Sequence, residues 1–237
     1  MPLDLVLIMP VYNEEGCISD VIRSWDRMLS GLGIRYQMII LNDGSKDGTK
    51  EVLASFDNKG RIQIINKDNS GHGPTILIGY RKAVKISTWT FQCDSDDEMK
   101  ADYFQALWTK RERFDALFGL RKDRTQNAWR KIISLCAKIT VRILFGAGVT
   151  DVNTPYRLIR SDLLKRIIEQ IPDDTFAPNV IISGALSKAG VRIYECDVPY
   201  EHRRTGQVSI MKWKLWKAAM KAFRQTLACR PSLKEFI

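Results

Sequence analysis

A chain of 237 residues, 45% hydrophobic and 27% charged, can bury one large core, which excludes an intrinsically disordered protein. Its 37 Lys and Arg against 27 Asp and Glu leave a net charge of +10, a surplus that favours nucleic acid, phosphorylated substrates or anionic lipid surfaces as partners. The five cysteines (Cys17, Cys93, Cys136, Cys196, Cys229) are widely spaced and form no CxxC pair, which argues against a disulfide framework or a zinc site and points to a reducing cytoplasm.

The N-terminal DLVLIMPVYN shows no basic leader or cleavage-like site, so no signal peptide is expected. No window reaches the roughly 20 consecutive apolar residues of a membrane-spanning helix, so a membrane contact would be peripheral. Short apolar runs at 5–9, 36–41, 61–65, 88–93 and 115–120 predict strands, and helical spacing at 14–29, 47–56, 74–86 and 100–113 predicts the helices between them. That alternation implies a mostly parallel sheet flanked by helices, an α/β fold. Beyond it the spacing predicts an amphipathic helix at 127–145, a TDVNTPYRLIR segment, helices at 161–170 and 176–189, a strand at 191–197 and a basic tail.

Polar residues follow the apolar runs, so they gather on the carboxyl edge where such sheets bind ligands. FQCDSDDEMK is the most acidic of these stretches. Asp96 or Asp97 could simply cap the next helix. Alternatively, Asp94 and Asp96 at i, i+2 place two carboxylates on one side of an extended chain, suited to Mg²⁺ or Mn²⁺, with Glu98 as a third or water-mediated ligand. LNDGSKDGT at 41–49 puts Asp43 where a base or ribose could be held, though an ordinary strand-turn-helix connection reads the same way. NSGHGPT at 69–75 opens a helix with glycines that let backbone N–H groups approach phosphate, yet it matches neither a Walker loop nor GxGxxG.

In order and spacing, MPVYNEE, LNDGSKDGT, NKDNSGHGPT and CDSDDE resemble the family 2 inverting glycosyltransferases with the GT-A fold. GLRKDR, WRKIISLCAKITVRILFG, VTDVNTPYRLIRSDLL and EHRRTGQVS resemble the polyprenyl-phosphate sugar transferase branch, typified by dolichyl-phosphate mannosyltransferase. The likeness runs from about residue 5 to 210, so residues 1–210 are expected to form the glycosyltransferase domain and 211–237 a basic amphipathic tail.

This resemblance implies that Pro10, Tyr12, Asn13 and Glu14 line the nucleotide pocket and that Asp43 holds base or ribose. By the same likeness Asp94 and Asp96 bind the metal and the diphosphate, with Ser95 beside them on the nucleotide sugar. Arg121, Arg203 and Ser209 would meet phosphates, and Asp151 matches an acidic position near the acceptor. Asp96, Asp151 and Arg121 are thus the expected catalytic residues. Two departures stand out: Glu98 where a DADLQ motif has Gln, and Asn42 where DDGS is usual.

Trp213, Trp216, Met220, Phe223 and Leu227 recur every three or four residues beside Lys214, Lys217, Lys221 and Arg224, as in a helix lying at a membrane interface. A helix docked on the sheet with a solvated basic face would show the same pattern. Ile132, Cys136, Ile139 and Ile143 beside Lys131, Lys138 and Arg142 form a second such candidate.

The reading is a metal-dependent hexosyltransferase moving a sugar from a GDP- or UDP-linked donor to a polyprenyl phosphate, peripheral to the membrane and able to work with a membrane-spanning partner. A family 2 transferase acting on a soluble glycan or protein is the rival enzyme reading. A basic nucleic-acid-binding module leaves DSDDE unexplained, because that cluster would repel a phosphate backbone unless metal bridged it, so no nucleic-acid partner is expected. A nucleotidyltransferase would lack its usual glycine-rich, basic N-terminal loop.

Overall fold

The computed structural model describes residues 1–56, 60–122, 139, 141–142, 145–146, 149–200 and 220–229. The strands among them are β1 (Leu3–Val11), β2 (Tyr36–Asp43), β3 (Ile62–Lys67), β4 (Ser87–Gln92), β5 (Ala116–Lys122), β6 (Arg157–Arg160) and β7 (Ile193–Pro199). They form one sheet in the order β3-β2-β1-β4-β6-β5-β7. β1 pairs parallel with β2 and β4, and β2 with β3; β6 runs antiparallel to both β4 and β5, and β7 is parallel to β5.

β1 shows why the sheet needs helices on both faces. Leu5, Leu7, Met9 and Val11 enter one hydrophobic cluster while Val6 and Ile8 enter the other, so the strand is apolar on both sides. The first cluster is covered by α1 (Ile18–Gly31), which contributes Ile18, Val21, Ile22, Trp25 and Leu29. Over the second lie α3 (His72–Ala83), α5 (Ser161–Ile168) and α6 (Pro178–Lys188). The short α2 (Thr49–Ala54) and α4 (Phe104–Trp108) complete the described helices with bounds of their own, and residues 220–229 are also helical.

Two expectations change. The segment 100–113 is not one helix: a 3₁₀ turn at Ala101–Tyr103 leads into α4, and a second 3₁₀ turn follows at Arg111–Arg113. Ala101, Phe104, Leu107 and Trp108 supply buried anchors, whereas none of the residues Arg111–Arg113 is buried, so nothing holds a longer helix to the sheet. β6 was not expected at all. Its four residues begin and end with arginine, and only the pairing with β4 and β5 makes a strand of them. The predicted helix at 127–145 is described only at 139, 141–142 and 145, which are helical; Ile132, Cys136, Ile143, Lys131 and Lys138 lie outside the described residues. Likewise outside are Arg203, Ser209, Trp213, Trp216, Lys214, Lys217 and the expected domain boundary near 210.

The topology positions the chemistry. β1–β4 pairing ends at Ile8↔Gln92, while β1–β2 pairing continues to Val11↔Asn42. Past that point β1 and β4 diverge at the switch in strand order, opening a crevice at their carboxyl ends. Pro10 sits there, beyond the last β1–β4 pair, where a missing ladder donor is tolerated. Because β5 and β7 run in the same direction as β4, their carboxyl ends deliver Arg121 and Tyr200 to the same edge.

Beneath that edge Phe91 packs against Trp25, Phe104 and Tyr156 with ring centroids 5.2, 4.6 and 4.8 Å apart. Phe91→Ala should lower unfolding free energy by about 3–5 kcal/mol, measured by urea denaturation. A loss under about 1 kcal/mol would mean the aromatic cluster does not hold β4 to α1.

Candidate active site

The loop after β1 and the loop after β2 are clasped together. The Asn13 amide N–H donates to Ser45 Oγ (3.0 Å), and Asn13 Oδ1 accepts from the Lys46 amide (2.8 Å). Glu14 N–H donates to Thr49 Oγ1 (2.8 Å), and Glu15 Oε2 accepts from Gly48 N–H (2.6 Å). Asn13 adopts a φ of 55°, which asparagine tolerates better than most residues. Asn42, the departure from DDGS, uses its amide in both senses, donating to Asn66 Oδ1 (2.9 Å) and accepting from Ser45 N–H (3.1 Å).

Asp43 closes the third loop onto the first two. Its carboxylate accepts from the amides of Ser70 (2.8 Å) and Gly71 (2.9 Å) and pairs with Lys67. Burial raises its pKa, but the bonds from Lys67 and the Ser70 amide outweigh that and hold the carboxyl below its ordinary value. Gly44 makes the closure possible: at φ +65°, a Cβ there would stand 2.7 Å from the Asn69 amide nitrogen. Asp43 is therefore a loop fastener in this structure, and its pairing with Lys67, a residue within NKDNSGHGPT, leaves no mark in the sequence pattern.

A small cleft lies beside these loops, lined by Asp94, Asp96, Glu98 and Arg121 with Met99, Pro155, Tyr156 and Tyr200. The acidic side is electrostatically incomplete. Asp96 is pushed up to about 8, first by burial and then by the charges of Asp94 and Glu98. Among the described residues Asp94 Oδ1 is buried without a hydrogen bond, and His72 Nε2 stands 3.8 Å from it. Ser95, between them, is buried, and its carbonyl accepts from Cys17 Sγ at 3.7 Å.

Across the cleft Arg121 forks onto Asp151, Nε to Oδ2 at 2.7 Å and Nη2 to Oδ1 at 2.9 Å. The structure thus joins two expected catalytic residues in one bidentate pair. Pro10 is buried in β1, Tyr12 follows its last residue, and buried Glu14 accepts from Cys17 Sγ (3.3 Å). Among the described residues, no three His, Cys, Asp or Glu side chains are grouped to hold a metal ion alone. The donor set still fits a hard divalent cation: a carboxylate oxygen lacking a partner and a neighbour that keeps its proton up to about pH 8 are what such a cation would relieve, the remaining ligands coming from a bound diphosphate.

A sequence profile described as Glycosyl transferase family 2 matches residues 6–168. The chain belongs to that family. Its relatives include undecaprenyl-phosphate 4-deoxy-4-formamido-L-arabinose transferase of Pseudomonas aeruginosa (strain LESB58), 24% identical over 181 residues that make up 75% of this chain and 53% of that protein. The chain therefore spans about half the length of the first of these curated relatives. An uncharacterized protein of Methanocaldococcus jannaschii is 25% identical over 233 residues, 93% of this chain and 98% of that one.

Among solved structures, glucosyl-3-phosphoglycerate synthase from Mycobacterium tuberculosis, in complex with Mn²⁺, UDP and glucosyl-3-phosphoglycerate, superposes with a TM-score of 0.70 at 14% identity. The match covers 96% of this chain and 80% of that one. S. aureus TarS 1–349 in complex with UDP-GlcNAc gives a TM-score of 0.59 at 17% identity, covering 91% and 64%. The fold of this family 2 glycosyltransferase is GT-A.

An unfolded Asp96 would lose its proton near 3.8 and the folded one near 8. Between those values the folded chain holds the extra proton, so stability falls as pH rises. Asp96→Asn should flatten that decline and raise the melting temperature at pH 8 in chelator, whereas Mn²⁺ should raise it in the parent only. Identical melting curves for the two proteins, with and without the cation, would dissolve the assignment.

Proposed function

We propose that this chain transfers a sugar from a nucleoside diphosphate donor to a polyprenyl phosphate at a membrane surface, inverting the anomeric centre. The observation that carries this reading is that Asp94, Asp96 and Glu98 line one cleft together with Arg121, whose guanidinium is held by Asp151. In the reaction the anomeric C–O bond to the diphosphate breaks, its electron pair leaving with the nucleoside diphosphate, and an acceptor oxygen bonds to the same carbon from the opposite face.

A divalent cation held by Asp94 and Asp96 would offset the charge growing on the leaving diphosphate. Arg121 supplies a planar fork for phosphate oxygens from the other side. Pro10, Tyr12, Asn13, Glu14, Asp43 and Ser95 are assigned to the nucleotide sugar, Asp43 chiefly by holding the 68–71 loop in shape, and Arg203 and Ser209 to phosphate.

An acceptor phosphate favours this cleft over an alcohol. It is already anionic at neutral pH and needs no general base. Both oxygens of Asp151 are taken by Arg121, so a base role for Asp151 would require that pair to open first. An incoming phosphate can instead compete with Asp151 for the guanidinium. The relative named for undecaprenyl phosphate supports the lipid acceptor, and the UDP complexes of the structural neighbours support a uridine donor.

The helix at 220–229 supports the membrane surface. It docks through Thr226 and Cys229, both buried, and through Gln225, whose Oε1 accepts from Phe176 N–H at 2.8 Å. Met220, Phe223 and Leu227 stay 52%, 42% and 46% exposed, beside exposed Arg224 and Lys221. Apolar groups flanked by cations suit an anionic lipid surface. Among the described residues, no helix is long and apolar enough to cross a membrane.

Labelled UDP- and GDP-sugars incubated with the protein, Mn²⁺ and vesicles carrying polyprenyl phosphate should yield organic-soluble label together with nucleoside diphosphate, both lost in chelator. Label that stays aqueous would move the reading to a soluble acceptor; absence of nucleoside diphosphate release from every donor would end it. Phe223→Glu should abolish co-sedimentation with anionic vesicles while leaving the melting temperature within about 2 °C, because surface substitutions usually change stability by under about 0.5 kcal/mol.

A further inference from the structure

Arg157 has no exposed surface. It opens β6 opposite Gln92, two residues before Asp94, and among the described residues no carboxylate lies within ion-pair distance of it. Its partners are neutral: Nε donates to Thr154 O (2.9 Å), Nη1 to Asn179 O (3.2 Å), and Nη2 to Val152 O (3.3 Å) and Ser183 Oγ (3.2 Å). Its guanidinium carbon stands 5.1 Å from the centre of the Phe118 ring.

A buried guanidinium remains charged, and withdrawing it from water with no counter-ion in contact, Asp151 acting only from a distance, costs several kcal/mol even after relaxation. An apolar side chain of similar volume would fill the same space without that penalty, so stability alone does not account for an arginine here.

What the charge touches is informative. Val152 and Thr154 flank the turn that follows Asp151, whose carboxylate grips Arg121 at the cleft. Ser183 reinforces the same turn by donating to Val152 O at 2.9 Å. Thr154 Oγ1 donates to Gly119 O (2.6 Å), two residues before Arg121 on β5. On the other side Asn179, whose carbonyl accepts from Arg157, donates through Nδ2 to Gln92 Oε1 (3.0 Å), and Tyr80 OH donates to the same oxygen (2.7 Å). One guanidinium therefore joins the turn after Asp151 to Asn179 and, through the Asn179 side chain, to Gln92 at the end of β4, two residues before Asp94.

We propose that Arg157 is a positioning residue for sugar transfer: it braces the turn after Asp151 from beneath and so holds the Asp151–Arg121 pair in place at the cleft. The inference rests on the transfer reaction proposed above. It assigns Arg157 no contact with substrate.

Arg157→Lys keeps the charge but cannot reach four acceptors at once. Hydrogen exchange on the folded variant should accelerate at least about tenfold in a peptide covering 150–156 and stay unchanged in peptides from β1 to β3, since local opening is measured separately from global unfolding. Turnover should fall about a hundredfold, the scale of a small misplacement of a catalytic group, with UDP·Mn²⁺ affinity within about threefold of the parent. In an Arg121→Ala background the same substitution should cost nothing further.

Uniform acceleration of exchange, no acceleration, or losses that multiply in the double variant would each overturn the proposal. If Arg157→Lys does not fold, Ser183→Ala removes one bond to the guanidinium and one to Val152, and its exchange in 150–156 decides the same point at smaller amplitude. Absence of turnover with every donor would remove the transfer reading and the catalytic consequence with it, while the exchange pattern still decides whether Arg157 is a brace.

Discussion

Negative charge concentrated in a half-buried crevice is the constraint around which this molecule is arranged. Asp94, Asp96 and Glu98 face one cleft, and their mutual repulsion together with burial leaves Asp96 unable to ionise readily. A chain with a net charge of +10 could have spread cations through that crevice; instead the neighbouring guanidiniums are restrained. Arg121 is gripped by Asp151 on the opposite wall, and Arg157 is held beneath by carbonyls. Among the described residues the acidic side thus keeps carboxylates without an ion-paired lysine or arginine. Had either arginine reached Asp94 or Asp96, it would have supplied that pairing.

The loops after β1, β2 and β3 are tied to one another for a related reason. A backbone that must approach a nucleotide cannot rely on the ligand for its shape, so its polar groups satisfy one another first. Asn13, Asn42 and Asp43 do this, linking the loops after β1, β2 and β3. Residues expected to touch a nucleotide are therefore engaged in building the surface that would receive it. A carboxylate such as Asp43, already accepting two amides and a lysine, acts mainly through the geometry it imposes.

Much of the architecture was legible because strands buried on both faces and amphipathic helices leave simple patterns: β1 reads as an unbroken apolar run, and α1 as a stripe of Ile18, Val21, Ile22, Trp25 and Leu29. β6 escaped because a four-residue strand bounded by arginines has no pattern of its own and exists through its neighbours. The segment 100–113 misled for the opposite reason, since helical spacing over its first half hid the lack of buried anchors in its second. At the site, residue types and loop positions could be read, but partnerships could not. Nothing in the spacing of Arg121 and Asp151 says that they meet, and a buried Arg157 looks in sequence like any surface cation.

The C-terminal helix answers a question its own periodicity left open. A stripe of Met220, Phe223 and Leu227 beside Lys221 and Arg224 fits either a helix docked by its apolar side or one displaying it. The structure docks it by another side, through Gln225, Thr226 and Cys229, and leaves the apolar stripe outward. Gln225 also reaches Asp174 O, so the helix is fastened to the segment leading into α6. That segment presses on the start of α3: a Cβ at Gly73 would collide with the carbonyl oxygens of Thr175 and Phe176. Beside Gly73 stands His72, whose Nε2 lies 3.8 Å from Asp94 Oδ1. A side chain of any size at Gly73 would push α3 off this support, so the absence of a Cβ there joins the helix that bears the exposed stripe to the wall of the cleft through continuous packing.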